Sequence, residues 1–358
     1  MVLHDLRCGG AEHVCVTLAR EMDSAGLRVE FVLRRAIGEL LTELPPTIQV
    51  HDLNAARVRD ALFPLVRYLK DRRPRAVLAA LWPLTSLAVW ARRLAGVHCR
   101  VVTSDHCILS QTKPGQSPVM RRAIAAAMRL SYPAADAVVA VARGVAEEVA
   151  RLSGLRRGRV SVIFNPITPL APARPCDDDL MNRWVTGEGP RLIAVANLKV
   201  MKDQGTLLRA FSVVRKSLDA RLLILGEGPE RPRLEALARD LGVAGAVTFG
   251  GHQPTPHGYI SAADVFVMSS RSEGFGNVIV EALACGVPVV STDCPTGPGE
   301  ILEQGLFGRL TPVGDPEALA TAIVEVLACP PDPRGLRQRA EVFSVDRAVS
   351  AYRKALAV

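Results

Sequence analysis

Short runs of aliphatic residues alternate along the chain with stretches in which apolar positions recur every three or four residues. The runs at 29–33, 76–81, 100–103 and 137–140 read as strands, and the periodic stretches between them as amphipathic helices. Ahead of them, Val2-Leu3-His4-Asp5-Leu6 leads through Gly9-Gly10-Ala11-Glu12 into a helical pattern over 13–24. This opening strand is short, because only Val2 and Leu3 precede polar residues where strands usually hold about five; either its start is assigned late or it is abbreviated. After a further strand at 160–164 and Asn165-Pro166, the segment 168–179 gathers Pro and Asp and reads as a linker. A second series follows, with strands at 191–196, 221–225, 246–249, 265–269, 287–291 and 308–311. Repeated β-α units on both sides of a Pro-rich hinge predict an α/β protein with two doubly wound parallel sheets. Ligands are expected at the carboxyl ends of the strands, in a cleft between the domains.

Composition narrows this picture. At 358 residues, 49% hydrophobic and 4% aromatic, the chain suits two globular α/β domains and neither a disordered nor a disulfide-stapled protein. The eight cysteines contain no C-x-x-C pair and no metal-ligand spacing with histidine, so they are expected as reduced thiols in a cytoplasmic protein. No basic and apolar leader opens the chain. The most apolar stretch, 76–91, falls short of the about twenty residues that cross a bilayer and is interrupted by Pro83, Thr85 and Ser86.

The net charge of +8 is unevenly spread: residues 1–167 carry 24 Lys and Arg against 14 Asp and Glu, and the remainder 20 against 22. The basic half points to an anionic surface or substrate. With no aromatic platform and no recognised DNA-binding motif, nucleic acid is not the expected partner. Two basic amphipathic segments, 57–73 and 119–130, suit either an ordinary surface helix or the plane of a membrane. In the second, Met120, Ile124 and Met128 lie beside Arg121, Arg122 and Arg129, a peripheral contact with the inner face of the cytoplasmic membrane.

The candidate chemistry concentrates in 269–288. Glu273 and Glu281 flank Gly274-Phe275-Gly276, a turn that opens an apolar helix. A helix N-terminus offers backbone N–H groups and the positive end of the macrodipole, and the glycines let an anion approach. Glu281 lies further along, where a carboxylate accepts hydrogen bonds from neighbouring sugar hydroxyls. The combination points to a sugar attached to a diphosphate. Gly226-Glu227-Gly228-Pro229 lacks the full dinucleotide fingerprint, so NAD is not expected.

Taken in order, Gly9-Gly10-Ala11-Glu12, Asp105-His106, Asn165-Pro166, Lys202-Asp203, Gly226-Glu-Gly-Pro229 and Glu273-x7-Glu281 resemble the family 4 retaining glycosyltransferases of the GT-B fold, of the type that builds bacterial surface glycans. The resemblance covers nearly the whole chain. It implies an N-terminal acceptor domain over 1–167, a C-terminal nucleotide-sugar domain over 168–342, and a closing helix over 343–358 that returns to the first domain. It implies His106, Lys202 and Glu273 as catalytic residues, and Gly9, Gly10, Asn197, Gly274, Phe275, Gly276, Asn277 and Glu281 as donor-binding residues, Glu281 on the ribose. Lys202 would stabilise the charge that builds on the departing diphosphate. The family's usual Gly-Arg pair is replaced by Ala196-Asn197, which removes one cation from that site. Gly250-Gly251-His252-Gln253 resembles the loop that meets the nucleotide base, and Cys294-Pro-Thr-Gly-Pro-Gly-Glu300 a loop of surface-glycan enzymes.

The function implied is a metal-independent, retaining transfer of a hexose or N-acetylhexosamine from a nucleotide diphosphate sugar, UDP in preference to GDP, to a lipid-linked or other glycan acceptor. No cofactor is expected, the nucleotide sugar being a co-substrate. The same fold hosts nucleotide-sugar epimerases, and a non-catalytic, membrane-associated nucleotide-sugar-binding protein is a further alternative.

Overall fold

The computed structural model describes residues 1–7, 9–111, 117–167 and 178–358. It divides into two compact units: unit 1 comprises 1–166 and 344–358, and unit 2 comprises 167–343.

Unit 1 runs β1 (Val2–Leu3), α1 (Gly10–Ser24), β2 (Glu30–Leu33), β3 (Gln49–Asp52), α2 (Leu62–Arg72), β4 (Ala76–Ala80), α3 (Leu84–Ala95), β5 (Arg100–Asp105), α4 (Pro118–Ser131), β6 (Ala137–Ala140), α5 (Arg143–Ser153) and β7 (Val160–Val162). The strands form one parallel sheet in the order β3-β2-β1-β4-β5-β6-β7. Strands β4, β5 and β6 are buried along nearly their whole length, as expected of a sheet covered on both faces. Although β1 has two residues, it is an interior strand of the sheet, Val2 pairing with both Val32 and Ala79.

Unit 2 runs α6 (Asp178–Val185), β8 (Arg191–Val195), α7 (Gln204–Val214), β9 (Arg221–Leu225), α8 (Arg231–Asp240), β10 (Val247–Gly251), α9 (His257–Ser261), β11 (Val265–Met268), α10 (Asn277–Cys285), β12 (Val289–Thr292), α11 (Pro298–Ile301), β13 (Arg309–Thr311), α12 (Pro316–Ala328) and α13 (Pro333–Ala340). Its parallel sheet has the order β10-β9-β8-β11-β12-β13, so the strand order reverses between β8 and β11. In open α/β sheets that reversal leaves a crevice outside the carboxyl ends of the two strands. The core beneath it includes Leu192, Leu208, Phe211, Leu222 and Val267. Each such side chain, fully buried, contributes about 1.5–3 kcal/mol.

The chain's last helix, α14 (Val345–Leu356), belongs to unit 1, where Ala348, Tyr352 and Leu356 join the core formed by α1 and the sheet.

Three features differ from the sequence reading. Strand β3 is unannounced because it lies at the sheet edge and exposes Gln49 and Asp52, so no apolar run marks it. The linker reading over 168–179 falls mostly outside the described residues, but Asp178 and Asp179 already open α6, whose Leu180 and Trp184 are buried in unit 2. In the basic segment 119–130, Ile124 and Met128 are core residues, leaving Val119, Met120 and Leu130 as its exposed apolar positions.

Candidate active site

Two loops of unit 2 leave the strands that flank the reversal. The first, after β8, passes through Asn197 and a single 3-10 turn, Val200–Lys202, to Asp203, which adopts φ 46° as it caps α7. The second, after β11, carries 269–276 into α10, with Gly276 as an N-cap at φ 100° and no capping side chain. They are stitched together. Ser269 Oγ donates to the Lys202 carbonyl (3.0 Å), Arg271 N–H to the Met201 carbonyl (2.8 Å), and the Arg271 guanidinium pairs with Asp203 at 2.9 Å.

The stitching brings two sequence-nominated residues into contact. Lys202 Nζ donates to Glu273 Oε1 at 2.6 Å and Oε2 at 2.7 Å, and Ser270 Oγ donates to Oε1 at 2.6 Å. The carboxylate is 9% exposed and the ammonium 26%, so the pair sits at the edge of solvent. Two of the ammonium's three protons are directed at Glu273; the third remains for another acceptor.

The surrounding backbone explains other conspicuous residues. A Cβ at Gly226 would overlap the Ala196 carbonyl, and one at Gly228 the Leu198 carbonyl. Gly226-Glu-Gly-Pro229 therefore buttresses the loop that carries Asn197 and Lys202, reinforced by the Leu198 N–H to Glu227 carbonyl bond (2.9 Å). Asn197 is exposed, and its carbonyl accepts from Gln204 Nε2 at 3.2 Å.

On the other side, Thr296 Oγ1 donates to the Glu273 carbonyl, and Gly297 lies so close to Phe275 that a Cβ would overlap the Phe275 carbonyl oxygen. Phe275 itself is buried, its ring edge-on to Phe343 with centroids 5.6 Å apart, so this residue offers a ligand its backbone alone. Gly274 and Asn277 are partly exposed on either side of Phe275 and the buried Gly276. Sequence reasoning passed over Ser270, Thr296 and Gly297. A side chain bonded to a distant backbone carbonyl leaves no periodic mark, though the glycine-rich 294–300 loop was itself visible.

Glu281 lies one turn into α10. His257 Nε2 lies 3.8 Å from its carboxylate, beyond hydrogen-bond range. Burial raises the Glu281 pKa to about 7 and lowers that of His257. With 24% of the Glu281 side chain still exposed, solvent moderates that rise. The result is a carboxylate with unused acceptor capacity beside a neutral imidazole.

The remaining nominated residues belong to unit 1. Gly9 is extended at φ −139° and caps α1, with Gly10 as its first residue. A Cβ at Gly9 would overlap the Glu12 carboxylate, which folds back over this helix start. His106 follows β5, 8% exposed, with Nε2 3.0 Å from Ser104 Oγ. Burial lowers its pKa to about 4, so the ring is neutral at physiological pH. Asp105 accepts from Tyr132 Oη at 2.9 and 3.0 Å, and Thr85 Oγ1 lies 2.9 Å from the same phenol oxygen. Because the phenol proton goes to Asp105, Thr85 donates to Tyr132. Burial raises the Asp105 pKa to about 7 despite this bond. Glu148 accepts the backbone N–H groups of Leu109 (2.6 Å) and Ser110 (3.2 Å), fixing the loop beyond His106.

Two parallel-sheet units, one with a cation–carboxylate pair at its strand reversal, have the architecture of a GT-B glycosyltransferase. Comparison with known proteins identifies the family: residues 8–169 match the family model described as Glycosyltransferase Family 4, and residues 189–329 the model described as Glycosyl transferases group 1. The chain belongs to the family 4 glycosyltransferases. It is 36% identical to the lipopolysaccharide core biosynthesis glycosyltransferase LpsE of Rhizobium meliloti, over 56% of this chain and 56% of that protein. It is 25% identical to the N-acetyl-alpha-D-glucosaminyl L-malate synthase of Bacillus anthracis, over 96% of this chain and 92% of that protein. Among solved structures it is similar in fold to Anabaena HepE in complex with UDP-glucose, with a TM-score of 0.81, 20% identity and 99% of each chain covered.

Proposed function

We propose that the protein transfers a hexose or N-acetylhexosamine from a nucleotide diphosphate sugar, UDP in preference to GDP, to a lipid-linked or otherwise anionic glycan acceptor of surface polysaccharide assembly, with retention and without a metal ion. The observation that carries this reading is Lys202 held by both oxygens of Glu273 at the strand reversal of unit 2. As the glycosyl bond breaks, the diphosphate gains negative charge. A fixed ammonium with one proton to spare, beside the uncapped start of α10, stabilises that charge as a metal ion would. Glu281 receives the ribose hydroxyls on its open acceptor sites.

The N-acetylglucosaminyl product named for the Bacillus relative supports an N-acetylhexosamine, and its malate an anionic acceptor. Anabaena HepE, similar in fold, is in complex with UDP-glucose, which supports UDP. A lipid-linked acceptor also accords with the exposed face of α4. Val119 and Leu130 are eleven residues apart, which at 100° per residue puts them on one face, with Arg122 and Arg129 along its side. Among the described residues, no helix is long and apolar enough to cross a membrane.

Purified protein incubated with UDP- and GDP-sugars and with lipid-linked and carboxylate acceptors should transfer one sugar with its anomeric configuration kept, in the presence of a chelator. Neither transfer nor slow donor hydrolysis with any pair would sink the reading; an inverted product would sink the retention alone.

A further inference from the structure

One cavity of unit 2 lies away from the strand reversal, and more arginine lines it than its own carboxylate can neutralise. It measures about 400 Å3 and follows β10, the edge strand of the sheet. Strands β9 and β8 separate β10 from β11, and none of the lining residues belongs to the loops that carry Lys202 and Glu273.

Helix α8 builds one wall. Arg231, Glu235 and Arg239 recur every four residues, which places them on one face of the helix, and all three line the cavity. Arg231 is already committed. Its Nε donates to Glu235 Oε1 at 2.9 Å, its Nη1 to Glu227, and its Nη2 to the Phe249 carbonyl at 3.4 Å. Glu235 is thereby matched, and the other lining residues include no second carboxylate. Arg239 and Arg183, the latter from α6, are unmatched: among the described residues neither guanidinium has a hydrogen bond or an ion pair. Thr248 Oγ1 on β10 likewise has no hydrogen-bond partner among the described residues. Val247 and Phe249, both partly exposed, add apolar surface beside these groups.

A guanidinium presents its N–H groups in a planar fork that matches a carboxylate or a phosphate. Two uncompensated forks suit a phosphate monoester, with its nearly double charge, better than a carboxylate, which would neutralise one of them. The volume falls in the range of small-molecule sites, about 300–1,000 Å3, and exceeds what a bare phosphate fills. We propose that this cavity binds a small organic phosphate monoester: Arg183 and Arg239 hold the phosphate, Thr248 Oγ1 donates to it, and the organic part rests on Val247 and Phe249. Because the cavity shares no residue with the strand reversal, this ligand binds alongside a nucleotide there and does not compete with it.

Calorimetric titration with phenyl phosphate tests the site. The native protein should bind one molecule per chain. Arg183→Ala and Arg239→Ala should each weaken binding about fivefold, and the double variant about twentyfold, as for charge-assisted hydrogen bonds at partly solvated positions. Arg233→Ala removes the same charge from an exposed position of α8 outside the cavity and should change the affinity less than about twofold. Equal weakening by Arg233→Ala would reveal general attraction to a basic surface and overturn the site. Lys202→Ala should leave the affinity unchanged, and a loss there would assign the binding to the strand reversal instead.

Inorganic phosphate should bind more weakly than phenyl phosphate, and equal affinities overturn the apolar half of the site. Two sources carry the same headgroup. Displacement of phenyl phosphate by phosphatidate vesicles makes the natural ligand a lipid; displacement by a soluble sugar phosphate makes it a free metabolite. Failure of phenyl phosphate to bind overturns the proposal, and none of these readouts depends on glycosyl transfer.

Discussion

The two units build opposite environments at the carboxyl ends of the same kind of sheet. In unit 2 the loops after β8 and β11 oppose full charges, Lys202 against Glu273, at the edge of solvent, and leave Glu281 with acceptor sites open. In unit 1 the end of β5 is dry: Thr85 feeds Tyr132, Tyr132 feeds Asp105, and Ser104 links His106 to Tyr352, all with little or no exposed surface. A parallel sheet offers both units a rim of loops and imposes no polarity on it. The partners supplied by the neighbouring helices decide whether the rim holds charge for a charged ligand or neutral groups of fixed orientation.

The largest expected effect is at the charged rim. Lys202→Ala should lower the transfer rate about 10²–10³-fold, the scale of removing one preorganised donor from a developing anion. It also leaves the Glu273 carboxylate to the Ser270 hydroxyl. Steady-state rates at saturating donor measure this, and a loss smaller than tenfold would mean that the ion pair is structural.

Glu281→Gln should weaken donor binding by about 1.5–3 kcal/mol, the range for hydrogen bonds to a charged group. The pH dependence has a definite sign. Glu281 is protonated below a pKa of about 7; if its ionised form holds the ribose hydroxyls as proposed, donor affinity should rise as pH passes from 6 to 8 and then level. Calorimetric titration should show that rise in the native protein and its loss in the Gln variant.

Asp105 probes the dry rim through stability. Its pKa is raised from 3.8 to about 7 on folding, so its contribution is fully present below about pH 4 and is lost as pH rises through 7. His106 works in the other direction, since its pKa is lowered on folding and it destabilises the fold as pH falls below its ordinary 6.5. Comparison with Asp105→Asn isolates the carboxylate: the native protein should lose about 2 kcal/mol relative to the variant between pH 5 and pH 8 in urea unfolding. A difference independent of pH would place the Asp105 proton elsewhere.

The smallest effect belongs to the outer surface of unit 1. Arg122→Glu should reduce sedimentation with anionic vesicles by about 1 kcal/mol per charge removed or reversed, and raised salt should reduce it further. Salt-insensitive binding would remove the electrostatic component of membrane docking.

How much of this was legible in the sequence depends on how far apart the interacting residues lie. The β-α alternation, the α10 start with its two glutamates, and Lys202 were visible because local spacing encodes them. Edge strand β3 was invisible since solvent on one side relieves it of an apolar pattern, and α6 was hidden because the Asp residues that suit a helix start also suit a linker. The braces at Thr296 and Gly297 depend on close approach to the backbone of Glu273 and Phe275, which only the folded loop reveals. The partnership of Ser104 and Tyr352 spans 248 positions and has no local signature at all.

That last separation bears on biosynthesis. Helix α14 supplies Tyr352 and Leu356 to the core of unit 1, yet it is translated after every residue of unit 2. Unit 1 therefore cannot close its interior until every residue of unit 2 has been made, unlike a domain whose residues are contiguous and can fold as soon as they emerge. A chain released after residue 343 should expose the apolar surface of α1, β4 and β5 that α14 covers, and should bind a hydrophobic dye that the full chain does not.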